Sequence, residues 1–424
     1  MKKKILVCVY SCVSESGVKH VGGEAGLGWN LVKQLSRFFD VYAITHYQNR
    51  ESIEKLLEKE SVNNIKFFYI KLPRFFNFLE QFHKGGIQVY SYIWQIKAYF
   101  VAKKLHKKIN FDAFHHITYA NDWMASFIGA LLPIPYIRGP GGGAQRIPKN
   151  FLKEYSFKKH LDEWIRGVSQ WVFKHDPFFI MGQKKAKAIL VCNRESFEAL
   201  PKGWREKAFF FPVNGVSTKE LLLEDAKLGY KNNDFLILSA GKLIKIKGFD
   251  LAIKSFKIFS DKMPNVKFII VGDGPEFKNL KRLSQKLDIE YKVIFEEWLS
   301  REKLLEKMIS CDVFLFASLR DGGGAVIVEA MSLGKPVVCF DLAGPGFHID
   351  EKCGIKIKPE NPEQAMREMA DAIEKLYFDK NLRAQLGRGA KIKAEQEYNW
   401  DKLGERLLKI YNEALKINSN NLKI

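Results

Sequence analysis

The 424-residue chain contains no run of about 18 apolar residues, so none of its segments is read as crossing a bilayer as a helix. It has only six cysteines (Cys8, Cys12, Cys192, Cys311, Cys339 and Cys353) and no Cys-x-x-Cys pair. That pattern argues against a disulfide scaffold and fits reduced core cysteines in a cytosolic protein. There is no Asp-x-Asp at a strand end and no His/Cys cluster, so a metal site is not indicated. Acids are scarce relative to bases: 48 Asp and Glu against 68 Lys and Arg, a formal net charge of +20. Such an excess attracts polyanions, whether nucleic acid, anionic lipid or phosphorylated substrates. The bases are spread along the chain, and no zinc-finger or aromatic RNA-binding signature accompanies them, so nucleic acid is not the expected partner. The opening "MKKKILVCVYSCVSES" imitates a signal peptide. Its apolar run is short and no small-residue cleavage site follows, so a first β-strand and a cytoplasmic location are expected.

What is present is a repeated grammar. "KILVCVY" (Lys4–Tyr10) is a continuous apolar run of strand length, as in a strand buried on both faces of a parallel sheet. A glycine-rich stretch, a helical pattern and a second strand, Val41–Thr45, follow. Further strands are expected at Ile65–Ile70, Phe111–Ile117 and Ala188–Cys192. From Phe235 the alternation restarts with "FLILSAGKL", "VKFIIVGDGP", "YKVIFEEWL", "DVFLFAS" and "KPVVCFD". Pro212 and Asn214-Gly215 break the pattern between the two series. Two α/β domains are therefore expected, over 1–211 and 212–399. A last helix pattern, within 400–424, could pack back on the first domain.

Open α/β sheets place ligands at strand C-termini, which directs attention to "ASLRDGGGAVIVEAMSLGKPVV" (Ala317–Val338). Asp321 and Gly322–Gly324 follow a strand, and a helix follows them, with Gly334 placed to stop it. Glycines at a helix start allow close approach and leave N–H groups for a phosphate. Glu329 lies in that helix among apolar neighbours, where a carboxylate can accept from two adjacent hydroxyls, as in a ribose diol. An N-cap acid, a flexible turn and a solvated glutamate form the competing structural reading. Two cations just after the first strand of the second series, Lys242 and Lys247, suit a diphosphate.

This stretch resembles the E-x7-E region of retaining GT-B glycosyltransferases of family 4, and in particular a branch with Asp in place of the first Glu. Other landmarks are similar and in order: "YIRGPGGGAQRIP", "FPVNGV", "SAGKLIKIKGFDLAIKSF" and "VGDGPEFKNL". The resemblance covers nearly the whole chain. It implies a GT-B architecture, two Rossmann-like doubly wound domains facing a cleft, and a metal-independent transfer with no cofactor. The donor would be a UDP-, GDP- or ADP-sugar, and the acceptor a glycan or lipid-linked glycan of surface polysaccharide or lipopolysaccharide assembly.

The resemblance also implies roles. Lys242, where the family usually has Arg, and Lys247 would stabilise the leaving diphosphate. Glu329 would hold the ribose and Asp321 the donor sugar. Gly323, Gly324 and Ala325 would offer backbone donors. Gly22 and Gly23, in "HVGGEAGLGWN", would approach the donor phosphates. In "FDAFHHITYAND", His115 or His116 would reach the substrate; side chains alternate along a strand, so at most one of them does. A satisfied core histidine is the alternative for each. Gly141, Gly142 and Arg138, in "YIRGPGGGAQRIP", would meet the acceptor, or simply form a tight connection.

Two rival functions remain open: a sugar-nucleotide epimerase of the same architecture, and a non-catalytic nucleotide-sugar or polyanion-binding protein. The basic, aromatic segment Tyr90–Ile109 is either a surface for anionic membrane at the inner face or a packed helix with a solvated lysine face.

Overall fold

A computed structural model describes residues 2–12, 23–60, 64–76, 78–79, 86–222 and 234–416. The chain divides into two compact units. The first comprises 1–144, 161–213 and 400–424, and the second 145–160 and 214–399.

Among the described residues, the first unit holds a seven-stranded parallel sheet. Its strands are β1 (Lys4–Val9), β2 (Asp40–His46), β3 (Ile65–Ile70), β4 (Ala113–Thr118), β5 (Tyr136–Gly141), β6 (Ala186–Val191) and β7 (Ala208–Phe210). The order is β3-β2-β1-β4-β5-β6-β7, with the reversal at β1. Residues 5–9 and all of β4 are buried, which is why β1 reads as an unbroken apolar run; β4 carries His115, His116 and Thr118 into the interior. The helix Trp400–Ala414 packs on this unit through Leu403, Leu407, Ile410 and Tyr411. Its Asp401 pairs with Arg37 at 3.0 Å.

Among the described residues, the second unit holds a six-stranded parallel sheet: β8 (Phe235–Ala240), β9 (Val266–Val271), β10 (Val293–Glu296), β11 (Val313–Phe316), β12 (Val337–Phe340) and β13 (Gly354–Ile357). The order is β10-β9-β8-β11-β12-β13, so direction reverses between β8 and β11. Alternate residues face opposite cores: Ile237, Phe268 and Leu315 on one side, Leu238, Ile269 and Phe314 on the other.

Three features depart from the sequence expectation. The short strands β7 and β13 emerge as the edges of their sheets. The segment 145–160 leaves the first series and joins the second unit, where Ile147 and Phe151 enter the core and Asn150 donates to the Glu360 carbonyl at 2.8 Å. The expected glycine loop around Gly23–Gly28 is helix from Gly23 to Ser36. All six cysteines are buried and unpaired.

Candidate functional site

In the second unit, three strand-end loops are stitched together where the strand order reverses. The Leu243 N–H donates to the Asp273 carbonyl at 2.6 Å, tying the loop after β8 to the loop after β9. The Leu319 N–H donates to Ile246 at 3.0 Å, tying the loop after β11 to the first. Gly248, at φ +66°, passes so close to β11's end that a Cβ would lie 2.0 Å from the Ala317 carbonyl oxygen. Only glycine serves there. The loops therefore hold Lys247 against Asp321.

Lys247 Nζ and Asp321 Oδ2 form an ion pair, and Nζ also lies 5.6 Å from the Phe316 ring centroid. The other carboxylate oxygen, Oδ1, accepts from the N–H groups of Gly323 at 3.1 Å and Gly324 at 2.8 Å. Burial alone would raise this carboxyl. The Lys247 ammonium and the two backbone donors outweigh it and hold Asp321 below the ordinary aspartate range. The glycine N–H groups expected to face a ligand are thus spent on Asp321. The first helical residues after them, Ala325 and Val326, precede the first intrahelical bond. Lys242 is exposed on the loop after β8.

Glu329 is buried in the helix Ala325–Ser332, and Arg301 compensates it: Nη1 lies 2.9 Å from Glu329 Oε1. The same guanidinium reaches Glu220 through Nε at 2.7 Å. Sequence reasoning found the acid and missed the arginine, which comes from the helix Arg301–Ser310, 28 positions upstream.

A second missed residue is His348. Its Nε2 lies 2.6 Å from the Gly323 carbonyl and its Nδ1 2.9 Å from the Tyr398 hydroxyl. A carbonyl only accepts, so Nε2 carries the proton and Nδ1 takes the Tyr398 hydrogen. Burial pushes this imidazole down to about 4, which keeps it neutral at pH 7. Asn214 Nδ2 donates to the same carbonyl at 2.7 Å. The glycine loop is therefore rigidly held from behind.

In the first unit the structure corrects several expectations. Arg138 is 1% exposed. Its Nη2 donates to the carbonyls of Ala120, at 3.0 Å, and Asn121, and pairs with Asp122 at 3.5 Å. It braces the loop instead of reaching outward. The carbonyls of Gly141 and Gly142 accept from the N–H groups of Cys192 and Asp122 at 3.2 and 3.1 Å.

His115 is a core histidine, held between the Gly139 carbonyl at 2.7 Å and the Tyr411 hydroxyl at 2.9 Å. Burial pushes it down to about 4. Burial, with Arg138 and His115 nearby, pushes His116 to about 3. Both rings are buried and neutral. Gly23 begins a helix, and Gly22 lies outside the described residues. A cavity of about 430 Å³ that nothing in the sequence signals lies in this unit at the ends of β2 and β3, lined by His46, Tyr47, Arg50, Lys71 and Tyr90 among others.

Among the described residues no group of three His, Cys, Asp or Glu is placed to hold a metal ion, and no helix is long and apolar enough to cross a membrane.

Comparison with known proteins agrees with the arrangement. An uncharacterized glycosyltransferase of Methanocaldococcus jannaschii is 25% identical over 88% of this chain and 97% of its own. The structure of a sucrose-phosphate synthase from Thermosynechococcus elongatus superposes with a TM-score of 0.66 at 15% identity, covering 98% of this chain and all of that one. An Anabaena protein, HepE, solved with UDP-glucose, superposes at 0.60 and 17% identity, covering 96% and 99%. Residues 223–393 match the family model described as glycosyl transferases group 1. Residues 223–393, in the second unit, are thus similar to the group 1 glycosyl transferases, and the two parallel sheets share the fold of the sucrose-phosphate synthase structure.

Proposed function

We propose that the chain is a retaining hexosyltransferase that takes a sugar from a nucleoside diphosphate donor. The observation that carries this reading is the meeting of Lys247, Asp321 and the Gly322–Gly324 loop at the strand-order reversal of the second unit, with Glu329 one helix turn beyond.

In this reading Lys247 and Lys242 bind the diphosphate and stabilise the charge that develops as it leaves. Lys247 is then shared between Asp321 and phosphate. Glu329, already oriented by Arg301, accepts from the ribose hydroxyls, and Asp321 orients the sugar. The bond from the anomeric carbon to the phosphate oxygen breaks, and the acceptor oxygen bonds to the same carbon on the same face. The departing phosphate takes the acceptor proton. No protein nucleophile and no resident metal or cofactor is called for. The UDP-glucose bound to the Anabaena protein supports a donor of this class, with UDP, GDP and ADP as the bases to compare. The acceptor is a glycan or lipid-linked glycan of surface polysaccharide assembly, met at the cytoplasmic side.

The test is thermal shift across UDP-, GDP- and ADP-sugars, followed by product analysis with and without acceptor. Donor at one hundred times its dissociation constant should add about 2.7 kcal/mol, and Glu329→Ala should lose the response. Donor conversion without acceptor would indicate an epimerase. Binding without any turnover would indicate a binding protein.

A further inference from the structure

A surface helix normally turns its apolar stripe inward. The helix Phe157–Lys174 does the reverse. Phe157, Leu161, Trp164, Ile165, Val168, Trp171 and Val172 recur at helical spacing, and all are exposed; Phe157 is 84%, Trp164 65% and Trp171 64% accessible. The polar face does the packing. Gln170 is buried and donates to the Gly143 carbonyl at 2.9 Å, and Arg166 Nη2 donates to the same oxygen at 2.6 Å. These bonds fix the helix's rotation, so the outward apolar stripe is built in.

The neighbouring helix, Gly86–Ile109, shows what such a stripe would meet. It touches the first through Tyr92, whose ring lies 5.9 Å from that of Phe173 and whose hydroxyl donates to Asp176 at 2.5 Å. It buries Tyr90, Trp94, Ala98 and Ala102. Outward it turns Val89, Ile96 and Phe100 together with Lys97, Lys103, Lys104, Lys107 and Lys108. The sequence assigned this segment either to a membrane surface or to a packed helix; it is packed, with a basic exposed face.

We propose that the helix Phe157–Lys174 lies in the plane of an anionic phospholipid surface. Its aromatic stripe enters the boundary between headgroups and acyl chains, and the lysines of Gly86–Ile109 meet the lipid phosphates. Apolar area and cationic charge are the two terms that bind an interfacial helix. Charge complementarity decides the occupant. A second copy seated symmetrically on this face would bring two lysine-rich helices together. This inference is independent of the sugar-transfer reading.

The test is flotation of the full chain with phosphatidylglycerol-containing vesicles and with pure phosphatidylcholine, at low and high salt, together with tryptophan quenching by brominated lipid. Wild type should float with the anionic vesicles at low salt, and its emission should be quenched. Trp164→Ser/Trp171→Ser should weaken partitioning by on the order of tenfold and remove most of the quenching. Lys103→Glu/Lys104→Glu should lower binding and its salt dependence. Circular dichroism melts of the variants should match wild type, since all four side chains are exposed. The proposal fails if wild type stays unbound to anionic vesicles at low salt, or if the tryptophan variant floats equally well. It also fails if light scattering shows a dimer that the tryptophan variant turns into a monomer and vesicles do not displace.

Discussion

Two glycine loops in this molecule are built from the same parts and end in opposite states. In the first unit, the glycine run Gly139–Gly143, which closes β5 and opens the loop after it, has an acid and a base, Asp122 and Arg138, and a buried histidine, His115, donating to its Gly139 carbonyl. In the second, the loop Gly322–Gly324 has Asp321 and Lys247, and a buried histidine, His348, donating to its Gly323 carbonyl. Each histidine takes its second hydrogen bond from a tyrosine, Tyr411 in one and Tyr398 in the other. The difference is exposure of the ion pair. The side chains of Arg138 and Asp122 are each 1% exposed, while those of Lys247 and Asp321 are 21% and 16% exposed. A glycine run beside a charge therefore marks a place where backbones come close. Whether a ligand can use it depends on whether the charges remain reachable.

The comparison predicts its largest contrast in the two cations. Arg138→Met strands the Asp122 charge in the core and should cost about 3–5 kcal/mol of stability, read as a shifted urea midpoint. Lys247→Met breaks a partly exposed pair and should cost about 1 kcal/mol, yet lower sugar transfer on the order of 10²–10³-fold. If both variants lost stability alike and the Lys247 variant kept its activity, the distinction between a closed and an open loop would collapse.

What the sequence made legible follows from this. Most of the buried parallel strands announced themselves, because a strand covered on both faces is largely apolar; β4 and β5 are the exceptions, burying His115, His116 and Arg138. Asp321, Glu329 and Lys247 stood out as candidates because a charge beside glycines or among apolar residues after a strand is locally improbable; the structure brings Lys247 and Asp321 together. The partners were not legible. Arg301 and His348 reach the site from other elements, and nothing in "LSREKLL" or "AGPGFHID" distinguishes them before folding. Arg138 looked like Lys247, since each is a cation directly before a glycine; only the surrounding carbonyls reveal that one is enclosed. The helix Phe157–Lys174 is amphipathic in the sequence, but periodicity does not say which face turns inward. The segment 145–160 crosses between the units without a compositional break.

The paired histidines give the next effect. Both fold with a pKa of about 4, against 6.5 for an ordinary imidazole. Between these values the unfolded chain binds more protons, so stability is full above about pH 6.5 and is lost as pH falls toward 4, by about 3 kcal/mol per histidine. Asp321, depressed below its usual 3.8, loses its own contribution only at still lower pH. His348→Gln keeps a donor for the Gly323 carbonyl and removes the titration. Denaturant melts from pH 7 to 4.5 should show a shallower slope in this variant, and an unchanged slope would mean that His348 does not stay neutral when folded.

A smaller contrast concerns Glu329, the acid whose arginine leaves it oriented. Glu329→Gln preserves shape and removes a charged acceptor. Nucleotide-sugar affinity should fall by about 1.5–3 kcal/mol, in the range for hydrogen bonds to charged groups, as read by calorimetry. Glu60→Gln, in the first unit and salt-bridged to Lys33 at 2.7 Å, should leave donor affinity unchanged. Equal losses in the two variants would point to a general electrostatic effect of net charge.

The smallest effect separates the loops by space alone. At Gly141 an added Cβ would lie 2.6 Å from the Ala120 carbonyl oxygen and 3.1 Å from Asp122 Oδ1, with no flexible side-chain end to yield on the backbone side. At Gly322 the nearest atoms would be those of the Gln145 side chain at 3.6 Å, an ordinary contact. Gly141→Ala should therefore cost about 1–3 kcal/mol, as overpacking does, and Gly322→Ala within about 0.5 kcal/mol of nothing. Thermal melts decide it. If Gly322→Ala proved as costly as Gly141→Ala, the loop after β11 would be as closed as the end of β5, and the open ion pair would lose its meaning as a binding feature.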